Sequence, residues 1–103
     1  MWTVQDYLNK KEYPVGKGWW QILDELFTKI PNKTLSVLQI KEKFGGLRVY
    51  MEGDGDPEIE PLIQKAEEES YKTCEECGME GYSYLHRGWI ITLCKEHHEL
   101  RLP

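Results

Sequence analysis

All three cysteines and all three histidines of this 103-residue chain fall within "TCEECGMEGYSYLHRGWIITLCKEHHEL", residues 73 to 100. Cys74 and Cys77 form C-x2-C, sixteen residues intervene, and Cys94 and His97 form C-x2-H. Each short-spaced pair can present two donors to one ion, and three thiolates with an imidazole are a set that tetrahedral zinc accepts. The spacing predicts a Zn(Cys)3His site. Three cysteines cannot all pair within one chain, and a compartment that keeps them reduced leaves them free to bind metal, so a cytoplasmic protein is expected. For the fourth ligand His97 is favoured over its neighbour His98, because a helix starting near Cys94 puts position i+3 on the same side. His86, beside an expected turn, should be exposed or hydrogen-bonded. Four protein ligands leave no position open to water or substrate, which makes the ion structural, and no catalytic residue is assigned.

Gly78 suits a tight knuckle after the second cysteine, "YSYLHRGWIITL" reads as a short hairpin turning near Arg87-Gly88, and "CKEHHELRL" reads as the first turns of a helix. In order and spacing this segment resembles the treble-clef zinc modules. Such modules host many functions, so the resemblance implies a fold and no activity. "LCKEHHEL" is also similar to the last strand-helix junction of HNH-type nucleases. Those enzymes need a general-base histidine and further metal and phosphate ligands. Here only His86 lies in the gap, with no Asp-His pair before it, and no enzymatic activity is expected.

A chain of 103 residues rarely supports two apolar cores, which points to a single domain: an α/β part over 1–72 and a zinc module over 73–103. Residues 3 to 9 can form a short helix capped by Thr3, followed by a loop punctuated by Pro14, Gly16 and Gly18. In "WWQILDELFTKI" the positions Trp20, Leu23, Phe27 and Ile30, flanked by Trp19 and Leu26, recur at helical spacing until Pro31 stops them. "SVLQIKEKFGGLRVYME" reads as two strands turning at Gly45-Gly46. Leu38, Ile40, Glu42, Phe44, Leu47, Val49 and Met51 then share the inner face, and Gln39, Lys41, Lys43, Arg48, Tyr50 and Glu52 the outer one. Glu42 sits at an edge or needs a nearby Arg or Lys. A helix over 34–44 ending at Gly45 is the competing reading. Asp56-Pro57 marks a helix start, and Ile59, Leu62, Ile63, Ala66 and Ser70 mark its buried stripe, to about Lys72. The fold class expected is α+β, a helix, β-hairpin and second helix packed on a C-terminal zinc module. "EGDGDPEIE" fails as a calcium loop because Ile59 and Lys65 occupy its glycine and glutamate positions.

The net charge is −5 and unevenly spread: residues 52 to 69 hold eight acids and one base, a charge of −7 that leaves +2 on the remainder. A basic footprint of the kind non-specific phosphate binding needs is absent overall. The N-terminal residues lack the apolar run of a signal peptide, and no stretch reaches the length of a membrane span. Protein binding is the function expected, with Trp19, Tyr82, Tyr84 and Trp89 as aromatic anchors. A nucleic-acid-binding zinc module using Lys41, Lys43, Arg48, Arg87 and the same tyrosines is the alternative, disfavoured by net charge. A third reading makes the acidic segment a phosphate-mimicking surface.

Taken together, "GWWQILDELF", "QIKEKFGGLRVY", the amphipathic helix and "CEECG...TLCKEH" resemble a group of small, largely uncharacterised proteins of bacteria and their phages. The resemblance spans about residues 18 to 98 and includes a KEKFGGLR-type motif. It carries no activity over to individual residues. It implies a small protein that binds and blocks or modulates a host defence or regulatory protein.

Overall fold

Thr3 is followed three residues later by Asp6, and the two cap each other. In the computed structural model, which describes residues 1–102, the Thr3 hydroxyl accepts from the Asp6 amide at 3.2 Å and the Asp6 carboxylate accepts from the Thr3 amide at 2.9 Å. This reciprocal cap starts α1 (Val4–Lys10). A single 3-10 turn (Lys17–Trp19) then leads into α2 (Trp20–Lys29), which buries Ile22, Leu23, Leu26 and Phe27. Pro31 follows its end. The Lys33 ammonium closes that end by donating to the carbonyls of Phe27 at 2.9 Å and Thr28 at 2.7 Å, and to that of Ile30. A cation there also meets the negative pole of the helix.

β1 (Val37–Lys43) and β2 (Gly46–Met51) form an antiparallel hairpin, so the helical alternative over 34–44 is not adopted. Its turn differs from the expected Gly45-Gly46. The central pair is Phe44-Gly45, with φ of 53° and 81°, and Lys43 pairs with Gly46. Gly46 serves packing instead: a Cβ there would lie 2.3 Å from the Tyr71 ring. The expected register is therefore two residues out, which keeps Ile40, Glu42, Leu47, Val49 and Met51 on one face but ejects Phe44, now 67% exposed. An irregularity between Val37 and Gln39 likewise turns Leu38 out, 55% exposed, and Val37 in. Glu42 needs no cation, because its carboxylate accepts from the Gly45 amide at 2.7 Å.

Asp56 does cap a turn, its carboxylate accepting from the Glu58 amide at 2.8 Å, but the regular helix α3 (Glu60–Ser70) begins later than expected, with Pro61 in its first turn. Ile59, Ile63, Ala66 and Ser70 are buried and Leu62 partly so, as the stripe implied. Two α3 side chains occupy the outer edge of β2: the Leu47 amide donates to the Ser70 hydroxyl at 2.9 Å, and the Val49 amide to the Glu67 carboxylate at 3.2 Å. Glu67 is thus partly spent on structure.

β3 (Tyr82–His86) and β4 (Trp89–Leu93) form a second hairpin turning at Arg87-Gly88, and α4 (Lys95–Leu100) follows. The architecture is α+β, helices on two separate two-stranded sheets. The core is built by α1, α2, the first hairpin and α3, with Trp19, Leu23, Phe27, Ile30 and Leu47 wholly shielded. Trp19 must therefore be removed from the surface contacts expected of it. Its side chain is 0% exposed, and its indole N–H donates to the Thr73 carbonyl at 2.9 Å. No helix among the described residues is long and apolar enough to cross a membrane.

Candidate metal centre

The knuckle forms where the chain turns back after Cys74. The Gly78 amide donates to the Cys74 carbonyl at 2.9 Å, the Cys74 amide donates to the Met79 carbonyl at 2.7 Å, and Gly78 takes φ of 82°. That positive φ is why glycine follows the second cysteine. Across the site Cys94 is the N-cap of α4, and its sulfur accepts from the His97 amide at 3.4 Å. Helix geometry then brings the His97 ring over the same sulfur.

The four donor atoms of Cys74, Cys77, Cys94 and His97 all lie within 4.8 Å of one another. Sulfur to sulfur, Cys77 and Cys94 are 3.8 Å apart, and His97 Nδ1 stands 3.7 Å from Cys74 Sγ and 3.2 Å from Cys94 Sγ. A tetrahedral ion with bonds of about 2.3 Å to sulfur and about 2.0 Å to nitrogen has edges of roughly 3.8 Å and 3.5 Å. The cluster fits a metal ion of that kind, and three soft donors with one imidazole are consistent with zinc.

Electrostatics point the same way. Burial opposes ionisation of the Cys74 thiol, but the amides of Cys94, Cys77 and Glu76 aim at its sulfur and together lower it to about 7. At Cys77 the Met79 amide lowers the value, whereas desolvation and the neighbouring Cys74 and Cys94 sulfurs raise it by more, to about 11. One thiolate forms readily and then resists its neighbours. A bound cation removes that repulsion and lets all three ionise.

His98 turns away from the cluster. Its ring stacks on Tyr84, centroids 3.6 Å apart and planes 5° from parallel, and its Nδ1 lies 3.0 Å from His86 Nε2. One further residue, Glu76, reaches His97, and Arg101 holds it from behind. Glu76 Oε2 stands 3.8 Å from His97 Nε2, while its other oxygen accepts from Arg101 at 2.6 Å. A carboxylate behind a ligating imidazole fixes which nitrogen faces the metal. Sequence reasoning passed over Glu76, although its place inside C-x2-C is a signal that could have found it.

The N-terminal half grips the knuckle from outside. The Gly18 amide donates to the Glu75 carbonyl at 2.8 Å, and the Gly16 amide to the Glu75 carboxylate at 3.2 Å. A Cβ on Gly18 would lie 2.0 Å from the Cys74 carbonyl oxygen. Burial pushes the Glu75 carboxyl above its ordinary range, against the lowering effect of the Gly16 amide. From the other side the Thr92 hydroxyl donates to the Gly45 carbonyl at 2.6 Å, fixing the first hairpin's turn to β4.

The remaining predicted contact residues scatter. Lys41 lies 5.8 Å over the Tyr50 ring and Lys43 5.7 Å over Phe44. Arg48 is half-buried and donates to the Leu47 carbonyl and the Tyr71 hydroxyl. Tyr84 is engaged by His98 as described. Tyr82 at 50% exposure, Arg87, and Trp89 at 73% are open to solvent. Leu85 and Ile90 are exposed apolar side chains that no sequence signal marked, and Phe44, expected on the inner face of the first hairpin, is exposed as well. No protein-family model, curated protein or solved structure matches the chain.

Proposed function

We propose that the chain is a small protein-binding module, stabilised by structural zinc at Cys74, Cys77, Cys94 and His97, that acts by docking on a partner rather than by catalysis. The observation that carries this reading is the second hairpin: Leu85 and Trp89 are each 73% exposed at the tip of a hairpin whose base the cluster holds. Ile90, 42% exposed, pairs with Leu85 across the strands. Large apolar side chains clustered at an exposed tip are costly in water and are what a docking surface requires. The Phe44-Gly45 turn packs against β4 near Ile90 and adds a further exposed aromatic.

In this reading, which takes up the resemblance to small bacterial and phage proteins, the partner is a bacterial defence or regulatory protein, met in the cytoplasm and inhibited or modulated by stoichiometric binding. Nucleic-acid binding is the weaker alternative, since Arg48 is engaged within the fold and few cations remain on that face. Capture from a bacterial extract, comparing the wild-type chain with Leu85→Ser/Trp89→Ser, tests the docking reading. A protein retained by the wild type should be lost from the variant while bound zinc stays at one ion per chain, the stoichiometry that one Cys3His cluster sets. Equal retention would remove the hairpin tip from the reading. Labelled DNA that binds at low salt would favour the alternative.

A further inference from the structure

The tip of the second hairpin borders a groove of about 520 Å³, lined by Leu85, His86, Arg87, Trp89 and Ile91, with Arg101 and Leu102 after α4. On a chain of net charge −5, no acidic side chain among the described residues lines this groove. Its ionisable lining consists of two guanidiniums and an imidazole. Arg101 keeps one edge against Glu76 at 2.6 Å, and Arg87 makes no ion pair among the described residues. Arg87 also holds φ of 50° in a turn position where asparagine or glycine is the usual occupant. Departures from a local sequence rule of this kind are expected at functional or strained sites.

We infer that the groove receives an acidic amphipathic peptide segment of a partner protein, whose carboxylates pair with Arg87 and Arg101 while an apolar side chain packs between Leu85, Trp89 and Ile91. The inference rests on the docking reading above and adds the chemistry of what docks. Guanidiniums flanking an aliphatic and indole floor match alternating carboxylate and apolar side chains. A single-stranded nucleic acid fits less well. It needs a row of cations and several stacking rings, whereas one exposed aromatic and two guanidiniums line this groove, and the remaining chain repels a polyanion. β3 pairs with β4 alone, which leaves its other edge without a strand partner among the described residues.

The test uses the zinc-loaded full chain and fluorescently labelled synthetic peptides of equal length in which Leu alternates with Glu, Ser or Lys, beside oligothymidylate. The Glu-Leu peptide should bind most tightly, weaken as salt rises, lose about thirtyfold with Trp89→Ala and about tenfold with Arg87→Glu. Arg101→Gln should weaken it less. Zinc content and the far-ultraviolet circular dichroism spectrum control for folding, since Arg87 and Trp89 are both exposed. Equal binding of all three peptides, insensitive to Arg87→Glu, overturns the acidic partner and leaves apolar docking standing. Binding of none overturns both. Preference for oligothymidylate overturns the peptide in favour of nucleic acid. Sedimentation that shows a dimer of the chain, dissociated by Arg87→Glu, overturns it in favour of a second copy.

Discussion

At the scale of single residues, Gly18 and Tyr13 make opposite demands. Gly18 has no room for a side chain: a Cβ would sit 2.0 Å from one knuckle carbonyl and 2.6 Å from the Gly78 amide nitrogen. Backbone cannot yield as a flexible side chain can. Gly18→Ala should cost about 3 kcal/mol or more in urea unfolding and weaken metal retention together, and wild-type stability in that variant would disprove the close approach. Tyr13 is 5% exposed and its hydroxyl has no hydrogen-bond partner. Burial, reinforced by Asp24, raises its pKa to about 12. Between about pH 10 and that value the folded chain keeps a proton that the unfolded chain has lost. The associated stability, on the order of 2 kcal/mol, is whole below about pH 10 and disappears as pH climbs to 12. Tyr13→Phe removes the orphan hydroxyl. It should gain about 1 kcal/mol at neutral pH and flatten the alkaline decline in melting temperature, and a loss of stability would mean the hydroxyl has a partner.

At the scale of elements the first hairpin shows how much periodicity can reveal. Alternation identifies both strands and the buried parity of Ile40, Leu47, Val49 and Met51, because a slip of two residues leaves parity intact. It cannot say which glycine makes the turn, because the choice is made by Tyr71, twenty-five positions after Gly46 in the sequence, whose ring needs the space beside Gly46. Nor can it foresee that Leu38 is turned out. The metal motif was legible for the converse reason: i, i+3 geometry is local, and Cys94 and His97 converge without help from elsewhere. Phe44, at φ of 53° and 67% exposed, is the odd member of the hairpin. Phe44→Asn should stabilise the turn by about 0.5–1 kcal/mol in urea unfolding, since asparagine accepts left-handed geometry more readily. The same variant should capture less partner. A stabilised variant with undiminished capture would separate Phe44 from the docking surface.

At the scale of the molecule, long-range hydrogen bonds fasten the metal cluster to the remainder, three of them besides the contact of Gly16 with Glu75. Trp19 bonds to Thr73, Gly18 to Glu75, and Thr92 to the Gly45 carbonyl. All three were invisible in the sequence because each joins residues more than forty positions apart. They make "GKGWW" and "KFGGL" part of the support for the cluster, although neither carries a ligand. β3, β4 and α4 bury little of their own: Thr92 and Leu93 of β4 are shielded, while β3 and α4 have no buried residue. Without an ion this third of the chain lacks a core, and small zinc modules draw about 10 kcal/mol or more from their metal. Chelation, or Cys77→Ser, should therefore remove hydrogen-exchange protection from β3, β4 and α4. It should also remove protection at the Gly18 amide, whose acceptor lies on the knuckle. The α2 amides around Leu23 and Phe27 should stay protected longer, since their packing partners lie in α1, the first hairpin and α3. Identical unfolding with and without chelator, in protein that purifies free of zinc, would overturn the structural role. Protection lost in the second hairpin but retained at Gly18 would show that the grip on the knuckle outlasts the metal.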